Sequence, residues 1–577
     1  MAAPVSPAPT PPPPEQPTVV GCQSKSSRLP WGQAQLRTWT PKATAEPAEP
    51  DRALGSAFGA PFQARLILAY GEDYGASRRT VLLEAADGCR RQYRAESFSD
   101  ADQTVIADAM AQHPLVPDTA SYRLTYRSGM TSPELVEQGK LKLHQTQHFA
   151  IWYGTNTQSE LYVVAGRQGR TADQVAQDTG EWLEKQWLIN RDILNAPMPY
   201  ANSADRRKVD VFFCGSGRPL ANTDDLRGCG NTAAEYINLS MTELEKGSPI
   251  IVHEFGHVIQ FYSGGFRDKG DAGVIWETGA EWNSFAVTPS YYASYASYLN
   301  QLENSFLFSP ARYGANPIFT YLFEQDKTRD LVFGTWLNNL RTTTGATTED
   351  YFQAFVRLAK EKGIYPNGYA SFADDIGWYG ARLVTMDFFN QRAMADALRA
   401  TRTTTRLANF YTPLAAASTS DATLFAPPSK RPLLQWGTHI VPLTTSDQQV
   451  TVTLNGDTTS NQAAWRFTLV SVAADGTPAY ARMTTVEGRA SASVRMAPQA
   501  GAKMYLVVSA TPYVYETLGW QENGKPVKGT RFPYTVKIEG ATPRTGSQDA
   551  CDPNVEFGGW TLNYTLSGDK ETGRACT

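Results

Sequence analysis

The hydrophobic pattern changes twice along the chain. Between about residues 60 and 130, and again after about residue 430, short runs alternate apolar and polar positions, which predicts strands with one buried face. Between about 275 and 415, apolar residues recur at helical spacing instead. We therefore expect an α+β multidomain protein in which a region rich in helices separates two regions rich in strands.

The N-terminal part combines a proline-rich lead with a small predicted β-rich domain. Residues 1–55 are rich in proline near their start, which favours an extended segment without its own core. The β-rich domain is predicted over residues 56–135. Its strand-like runs are residues 65–70, 80–84 and 122–126.

A mixed pattern of strands and helices begins near residue 140. Strands are predicted at residues 148–153, 209–213 and 236–239. Thr171-Ala-Asp-Gln174 has the spacing of a capping box and predicts the start of a helix. The stripe that this helix is expected to bury consists of Val175, Thr179, Trp182, Leu183 and Gln186.

Strand follows strand after about residue 430, separated by turn-forming pairs such as Asn455-Gly456. This pattern predicts a C-terminal β-sandwich over residues 430–577. The predicted strands are residues 450–454, 465–472, 491–496, 504–509, 534–538 and 560–566.

Length and composition narrow the class of protein. A chain of 577 residues is too long for a single core, so several domains are expected. Apolar residues make up 41% of the chain, and no apolar run is long enough to span a membrane. The 53 Lys and Arg residues nearly balance the 57 Asp and Glu residues and form no dense basic stripe. Nucleic acid is therefore not expected as a partner.

The six cysteines indicate an oxidising compartment. None has the spacing of a thiolate zinc site, their number is even, and two pairs lie close in sequence. We predict the disulfides Cys214–Cys229 and Cys551–Cys576, with Cys22–Cys89 as the remaining pair, and a secreted protein. The alternative is six unrelated thiols in a cytosolic enzyme. No signal-peptide pattern is present, and the start Met-Ala-Ala-Pro resembles a trimmed mature end, so we expect that an export signal has been removed.

Residues 253–257 have the sequence His-Glu-Phe-Gly-His. Residues four apart on a helix emerge on nearly the same face, so both imidazoles can reach one zinc ion at about 2.0–2.1 Å. Glu254 lies beside them, where its carboxylate can take a proton from a bound water and pass it to a leaving amine. We predict His253 and His257 as metal ligands and Glu254 as the catalytic base. The alternative is a buried helix that carries this string by chance.

The flanking residues support a helix here. Ser248-Pro249 predicts its start and Gly264-Gly265 its end. A catalytic zinc site needs a third protein ligand. The metzincin pattern would require glycine at 260 and histidine at 263, where this chain has Gln260 and Ser263. The sequence is therefore not that of a metzincin.

The downstream segment Trp276-Glu-Thr-Gly-Ala-Glu-Trp282 resembles the gluzincin pattern, in which a second helix supplies a glutamate about twenty residues after the second histidine. The resemblance implies Glu277 as the third ligand of one zinc ion per chain, and Glu281 as the acceptor that orients a ligand imidazole. Periodicity alone does not choose between two glutamates four residues apart. Glu281 is equally explained as a solvated charge on the helix face.

Two further segments extend this resemblance. Residues 235–240 lie where gluzincins have the edge strand that pairs with an extended peptide substrate. Residues 312–321 lie where many relatives carry a tyrosine near the metal. The resemblance implies that the Tyr313 hydroxyl stabilises an oxyanion. Packing of its ring between helices is the alternative.

The same motifs, together with a strand-rich C-terminal module, resemble the Svx-type secreted virulence proteins of plant-pathogenic bacteria, which are regarded as gluzincin-like peptidases. The resemblance implies a thermolysin-like zinc endopeptidase core over residues 140–425, with an α/β lobe to about 265 and a helical lobe after it. It also implies a secreted protein that cleaves an extracellular protein or glycoprotein, such as one of the plant host cell wall. Separately, we expect a monomer. Two other functions remain open: a protein that binds carbohydrate or cell-wall polysaccharide with a vestigial zinc site, and a zinc hydrolase of a non-peptide substrate.

Overall fold

The protein is an α+β multidomain chain. A computed structural model describes its main body, with short pieces near both ends. The residues described are 19–20, 22, 31, 35–42, 50–51, 56–57, 60–71, 78–155, 171–219, 230–233, 235–240, 250–266, 272–289, 295–340, 343, 347–394, 409–445, 449–474, 476–521, 525–544, 554–557 and 560–563.

An antiparallel sheet with a helix packed against it forms the first compact part, in the order β2-β5-β6-β7. Its core contains Trp39 and Phe98 from outside the two long strands, together with Ile106 of the helix. The elements up to residue 137 are β1 (Val19–Val20), β2 (Arg37–Trp39), β3 (Pro50–Asp51), β4 (Ser56–Ala57), β5 (Phe62–Gly71), β6 (Arg79–Ala85), β7 (Arg90–Arg94), α1 (Asp100–Gln112) and α2 (Pro133–Glu137). Of these, β1 lies in a different sheet, and β3 and β4 pair only with each other.

The prediction of a strand at residues 122–126 is wrong. Only Arg123 forms a bridge, to Arg207, and it lies away from this sheet. The side chain of Arg123 pairs with Asp205 at 2.5 Å on the protein surface. The alternation of polar and apolar residues therefore reflects a segment that lies along the next domain, with Tyr122 buried and its polar neighbours in solvent.

The N-terminal segment is attached to two parts of the molecule. Cys22 forms a disulfide with Cys89, which lies immediately before β7. The short strand β1 pairs with residues 479–480 near the other end of the chain. Cys214 is also disulfide-bonded. Its predicted partner Cys229, like the predicted pair Cys551–Cys576, lies outside the described residues.

A mixed five-stranded sheet, in the order β11-β12-β10-β9-β8, forms the next part. Its three central strands are parallel, and both edge strands are antiparallel to their neighbours. The edge position expected for residues 235–240 is wrong: the strand Tyr236–Ser240 lies inside the sheet, because Gly230–Ala233 pairs along its outer side and forms the edge instead. The apolar runs of the central strands are buried because helices cover the sheet. The elements are β8 (Lys142–Gln145), β9 (Phe149–Tyr153), α3 (Ala172–Asp192), β10 (Val209–Cys214), β11 (Gly230–Ala233) and β12 (Tyr236–Ser240).

The capping box predicted at the start of α3 is confirmed, because the side chains of Thr171 and Gln174 each accept a hydrogen bond from the backbone N–H of the other residue. The predicted stripe from Val175 to Gln186 is buried. Helices then dominate the chain: α4 (Ile250–Tyr262), α5 (Ala272–Val287), α6 (Tyr295–Leu299), α7 (Pro317–Glu324), α8 (Arg329–Leu337), α9 (Tyr351–Glu361) and α10 (Tyr369–Arg382).

Two sheets near the C-terminus enclose a second core, to which Val452 and Phe467 contribute from opposite sheets. One sheet has the order β1-β18-β17-β21-β15-β23, with β19 also paired to β17, and the other has the order β13-β14-β22-β16-β20. The strands of these sheets are β13 (Ala415–Ala416), β14 (Leu424–Ala426), β15 (Thr438–Thr445), β16 (Val450–Gly456), β17 (Ala464–Val472), β18 (Pro478–Tyr480), β19 (Thr484–Glu487), β20 (Ser491–Met496), β21 (Lys503–Ala510), β22 (Tyr534–Glu539) and β23 (Ala541–Pro543). The strands β24 (Asn554–Phe557) and β25 (Trp560–Asn563) form a separate pair.

The C-terminal sheets are not an independent appendage. All nine residues of β17 are buried, because one face points into the sandwich and the other packs against α10. The carboxylate of Asp387 joins three parts of the chain: it pairs with Arg91 of β7 at 2.9 Å and accepts a hydrogen bond from Tyr480 of β18 at 2.9 Å. Both charged side chains of this pair are fully buried.

In the part of the chain that the structure describes, no helix combines the length and the apolar character needed to cross a membrane.

Candidate metal centre

Helix α4 carries three of the predicted site residues. Its other faces are strongly apolar, and residues such as Phe255 and Val258 pack into the main core. The apolar residues of the helix therefore fix its position in the core. His253, Glu254 and His257 are themselves more than nine-tenths buried. The predicted start at Ser248-Pro249 lies outside the described residues, whereas the helix ends at Tyr262, shortly before the predicted glycine pair.

Helix α5 approaches α4 closely at Gly256. A Cβ atom at this position would lie 3.2 Å from the Cα atom of Ala280 and 3.3 Å from Oδ1 of Asn283. Only glycine leaves room for this separation without a shift of the α5 backbone. The close approach brings Glu277, one turn before Ala280, opposite the two histidines.

Three potential ligand atoms converge between these helices. Oε2 of Glu277 lies 3.2 Å from Nε2 of His253 and 3.6 Å from Nε2 of His257. One potential ligand atom from each of the three residues lies within 4.8 Å of the other two. Among the described residues, these three are the histidine, cysteine and acidic side chains grouped closely enough to share one metal ion. The structure therefore brings together the three residues for which the sequence predicts metal binding.

The donor set and its spacing fit a zinc ion. An ion bound tetrahedrally at 2.0–2.1 Å would place neighbouring ligand atoms roughly 3.3 Å apart, close to the two distances from Glu277. Two imidazole nitrogens and one carboxylate oxygen are also a set that catalytic zinc accepts. His253, His257 and Glu277 could hold such an ion with little rearrangement.

The outer nitrogen of each imidazole has an acceptor. Nδ1 of His253 lies 3.0 Å from Oε2 of Glu281, and Nδ1 of His257 lies 2.9 Å from Oε1 of Gln260. An N–H at each Nδ1 can donate to these oxygens, which leaves the Nε2 lone pairs directed toward Glu277. Glu281 is 3% exposed, so it is not a solvated charge on the helix face.

Gln260 is the contact that sequence reasoning missed. The sequence assigned no contact to Gln260, yet its Nε2 also donates to the carbonyl of Trp276 at 3.1 Å. One side chain thus connects a candidate ligand on α4 to the helix that carries Glu277. The available signal was its position three residues after His257, on the same face of the helix.

The centre favours positive charge. Burial lowers the pKa of His253, but hydrogen bonds to Glu277 and Glu281 and the charges of Glu281 and Glu254 outweigh burial and raise the pKa to about 10. Burial raises the pKa of Glu277, yet the two imidazoles outweigh it and hold this pKa well below its usual range. The Glu277 carboxylate thus lies beside the point that both Nε2 atoms face, and its negative charge stabilises a cation there.

Tyr313 lies at the open side of the centre. Its ring centroid is 6.1 Å from that of His253, and 36% of the residue is exposed. Burial of its hydroxyl and the charge of Glu277 raise the pKa of Tyr313, so the phenol stays protonated and can donate a hydrogen bond. The guanidinium of Arg312 lies over its ring at 4.4 Å. Tyr313 is therefore not simply packed between helices.

One family model matches the part of the chain that contains the candidate metal centre. No curated protein and no solved structure matches the chain. The model of a family of unknown function, DUF6055, matches residues 130–545. The match covers more than half of the 577 residues, including α4, α5, Tyr313 and most of the C-terminal sheets. The chain belongs to the DUF6055 family.

Proposed function

We propose that this protein is a secreted zinc metallopeptidase of the gluzincin type, with one zinc ion held by His253, His257 and Glu277. The observation that carries the proposal is the convergence of two imidazole Nε2 atoms and one carboxylate, with an acceptor behind each imidazole. Histidines that bind a metal almost always donate their other ring N–H to an acceptor of this kind.

When bound, zinc would supply a Lewis acid that polarises the substrate carbonyl and lowers the pKa of a water molecule. Glu254 follows His253 directly and is buried beside it. In our proposal its carboxylate takes a proton from the attacking water and then gives it to the leaving amine. The Tyr313 hydroxyl donates to the oxygen that becomes negative as the carbonyl is attacked.

The surrounding fold supports a thermolysin-like core. A mixed sheet with an antiparallel edge strand, β11, precedes the helix of the two histidines. The helix of the third candidate ligand packs directly against that helix. In our proposal an extended peptide lies along this edge of the sheet and passes the centre.

Secretion and an extracellular protein substrate belong to the same proposal. The disulfide between Cys22 and Cys89 supports an oxidising compartment. The resemblance of the motifs to Svx-type virulence proteins supports an extracellular protein or glycoprotein of a host as the substrate.

Peptide cleavage by zinc-loaded protein, compared with a zinc-loaded Glu254→Gln variant, tests the proposal. We expect the wild type to cleave a denatured protein mixture and the variant to lose activity by several orders of magnitude while it keeps its metal. Equal activity would reject Glu254 as the base. Absence of cleavage by a zinc-loaded wild type would favour a carbohydrate-binding protein or a hydrolase of another substrate.

A further inference from the structure

An exposed tryptophan of the C-terminal sheets lies close to the candidate metal centre. Trp520 belongs to the connection between β21 and β22, and 48% of it is exposed. Most other tryptophans in the described chain, such as Trp436 and Trp465, are buried in cores. A single exposed apolar residue is common on protein surfaces, so the distinguishing feature of Trp520 is its contact with Arg312 beside the centre.

The connection that carries Trp520 is anchored to the helical region. The backbone N–H of Gln521 donates to Oγ of Ser309 at 2.7 Å, and the Ser309 hydroxyl donates to the carbonyl of Gln521 at 2.7 Å. The Gln521 side chain is buried and bonds to the backbone of Leu518 and Lys528. The exposure of the neighbouring indole is therefore not the result of an unattached loop.

Arg312 connects this tryptophan to the centre. Its guanidinium carbon lies 5.0 Å from the ring centroid of Trp520 and 4.4 Å from that of Tyr313. Nη1 donates to the carbonyl of Ser309 at 3.0 Å, which fixes the side chain in this position. A continuous surface of ring, guanidinium and ring thus extends from the C-terminal sheets to within 6.1 Å of the His253 ring.

We propose that Trp520, Arg312 and Tyr313 form a substrate subsite that accepts an aromatic side chain of the peptide close to the cleaved bond. This inference rests on the proposed peptidase function. A planar guanidinium beside two rings favours stacking with a further π system, which aliphatic side chains lack. Because the surface is continuous with the centre, its occupant is the segment next to the reacting bond. The C-terminal sheets therefore take part in substrate selection.

Peptide pairs that differ only by phenylalanine or alanine at one position test this subsite. Cleavage profiling of the wild type first identifies the position at which aromatic residues are preferred. Each peptide of the pair is then assayed with wild type, Trp520→Ala and Trp520→Phe. We expect Trp520→Ala to lower kcat/KM about tenfold or more for the phenylalanine peptide and little for the alanine peptide. Trp520→Phe should retain much of the preference.

The matched control is Tyr126→Ala, which removes another exposed aromatic side chain in a different part of the fold. It should leave the cleavage of both peptides unchanged, and bound zinc should be equal in all four proteins.

If Trp520→Ala lowers cleavage of both peptides equally, or of neither, the subsite is rejected while the peptidase proposal stands. If Trp520→Ala abolishes retention on insoluble polysaccharide without changing peptide preference, Trp520 binds glycan and the inference is also rejected. A zinc-loaded wild type that cleaves no peptide rejects the proposed function itself.

Discussion

The Nδ1 atom of His257 lies 2.9 Å from Oε1 of Gln260, one turn further along α4. Because Gln260 also donates to the carbonyl of Trp276, the imidazole is oriented relative to both helices of the centre. The orientation of a ligand imidazole by a hydrogen-bond acceptor increases its affinity for the metal and its basicity.

We therefore predict that Gln260→Ala lowers zinc affinity by about 10–100-fold, because the His257 ring loses its acceptor. Gln260→Glu retains an acceptor at this position and should bind zinc more tightly than Gln260→Ala. Competition with a chromogenic chelator measures both affinities. Equal affinities for wild type and Gln260→Ala would show that this contact does not orient the ring for metal binding.

Removal of the Tyr313 hydroxyl should affect the chemical step. The ring and its contact with Arg312 remain in Tyr313→Phe, but the donor to the oxyanion is lost. We predict that kcat falls by about 100-fold or more while KM and the unfolding midpoint change little. Tyr126→Phe, at an exposed tyrosine elsewhere, serves as the control. Normal kcat in Tyr313→Phe would assign Tyr313 to packing or binding alone.

The separation of α4 and α5 depends on Gly256. Gly256→Ala places a methyl group 3.2 Å from the Cα atom of Ala280, so the α5 backbone must shift by a few tenths of an ångström. We predict a loss of about 1–3 kcal/mol in unfolding free energy and weaker zinc binding. The matched control is Gly334→Ala in α8, where nothing lies within 4 Å of the added atom. That change should instead stabilise by roughly 0.5–1 kcal/mol. Equal effects at both positions would contradict the role of Gly256.

The local elements were largely predictable from sequence. The capping box at Thr171 and the apolar runs that became β9 and β10 depend on neighbouring residues, and the structure confirms them. Glu277 was distinguished from Glu281 only through resemblance to a family, since both occupy one helix face. The pairing of β1 with β18 and the contact of Arg312 with Trp520 join residues far apart in sequence. No local pattern encodes such contacts.

The stability of the C-terminal sheets should depend on pH through His439. Nδ1 of this buried imidazole lies 2.8 Å from the Tyr534 hydroxyl, and Nε2 lies 3.0 Å from the carbonyl oxygen of Arg431. Burial and the charge of Arg431 lower the pKa of His439 to about 3. In an unfolded chain the value is about 6.5. The unfolded state therefore binds a proton first as the pH falls.

It follows that neutral His439 makes its full contribution to the free energy of unfolding above about pH 6.5. This contribution is lost as the pH falls from there toward 3, by at most roughly 1.4 kcal/mol per pH unit. Urea unfolding of wild type and His439→Gln between about pH 7 and 4 measures this slope. We expect a shallower decline in stability for the variant. Parallel slopes would show that His439 is not the group responsible.

The central claim is that Glu277, with His253 and His257, holds one zinc ion. Zinc content after exhaustive dialysis, measured by mass spectrometry for wild type, Glu277→Ala and Glu281→Ala, tests it most directly. We predict about one zinc per wild-type chain, an empty Glu277→Ala variant, and a Glu281→Ala variant that binds zinc about 10–100-fold more weakly. A full site in Glu277→Ala beside an empty one in Glu281→Ala, or a wild type without zinc, would contradict the account.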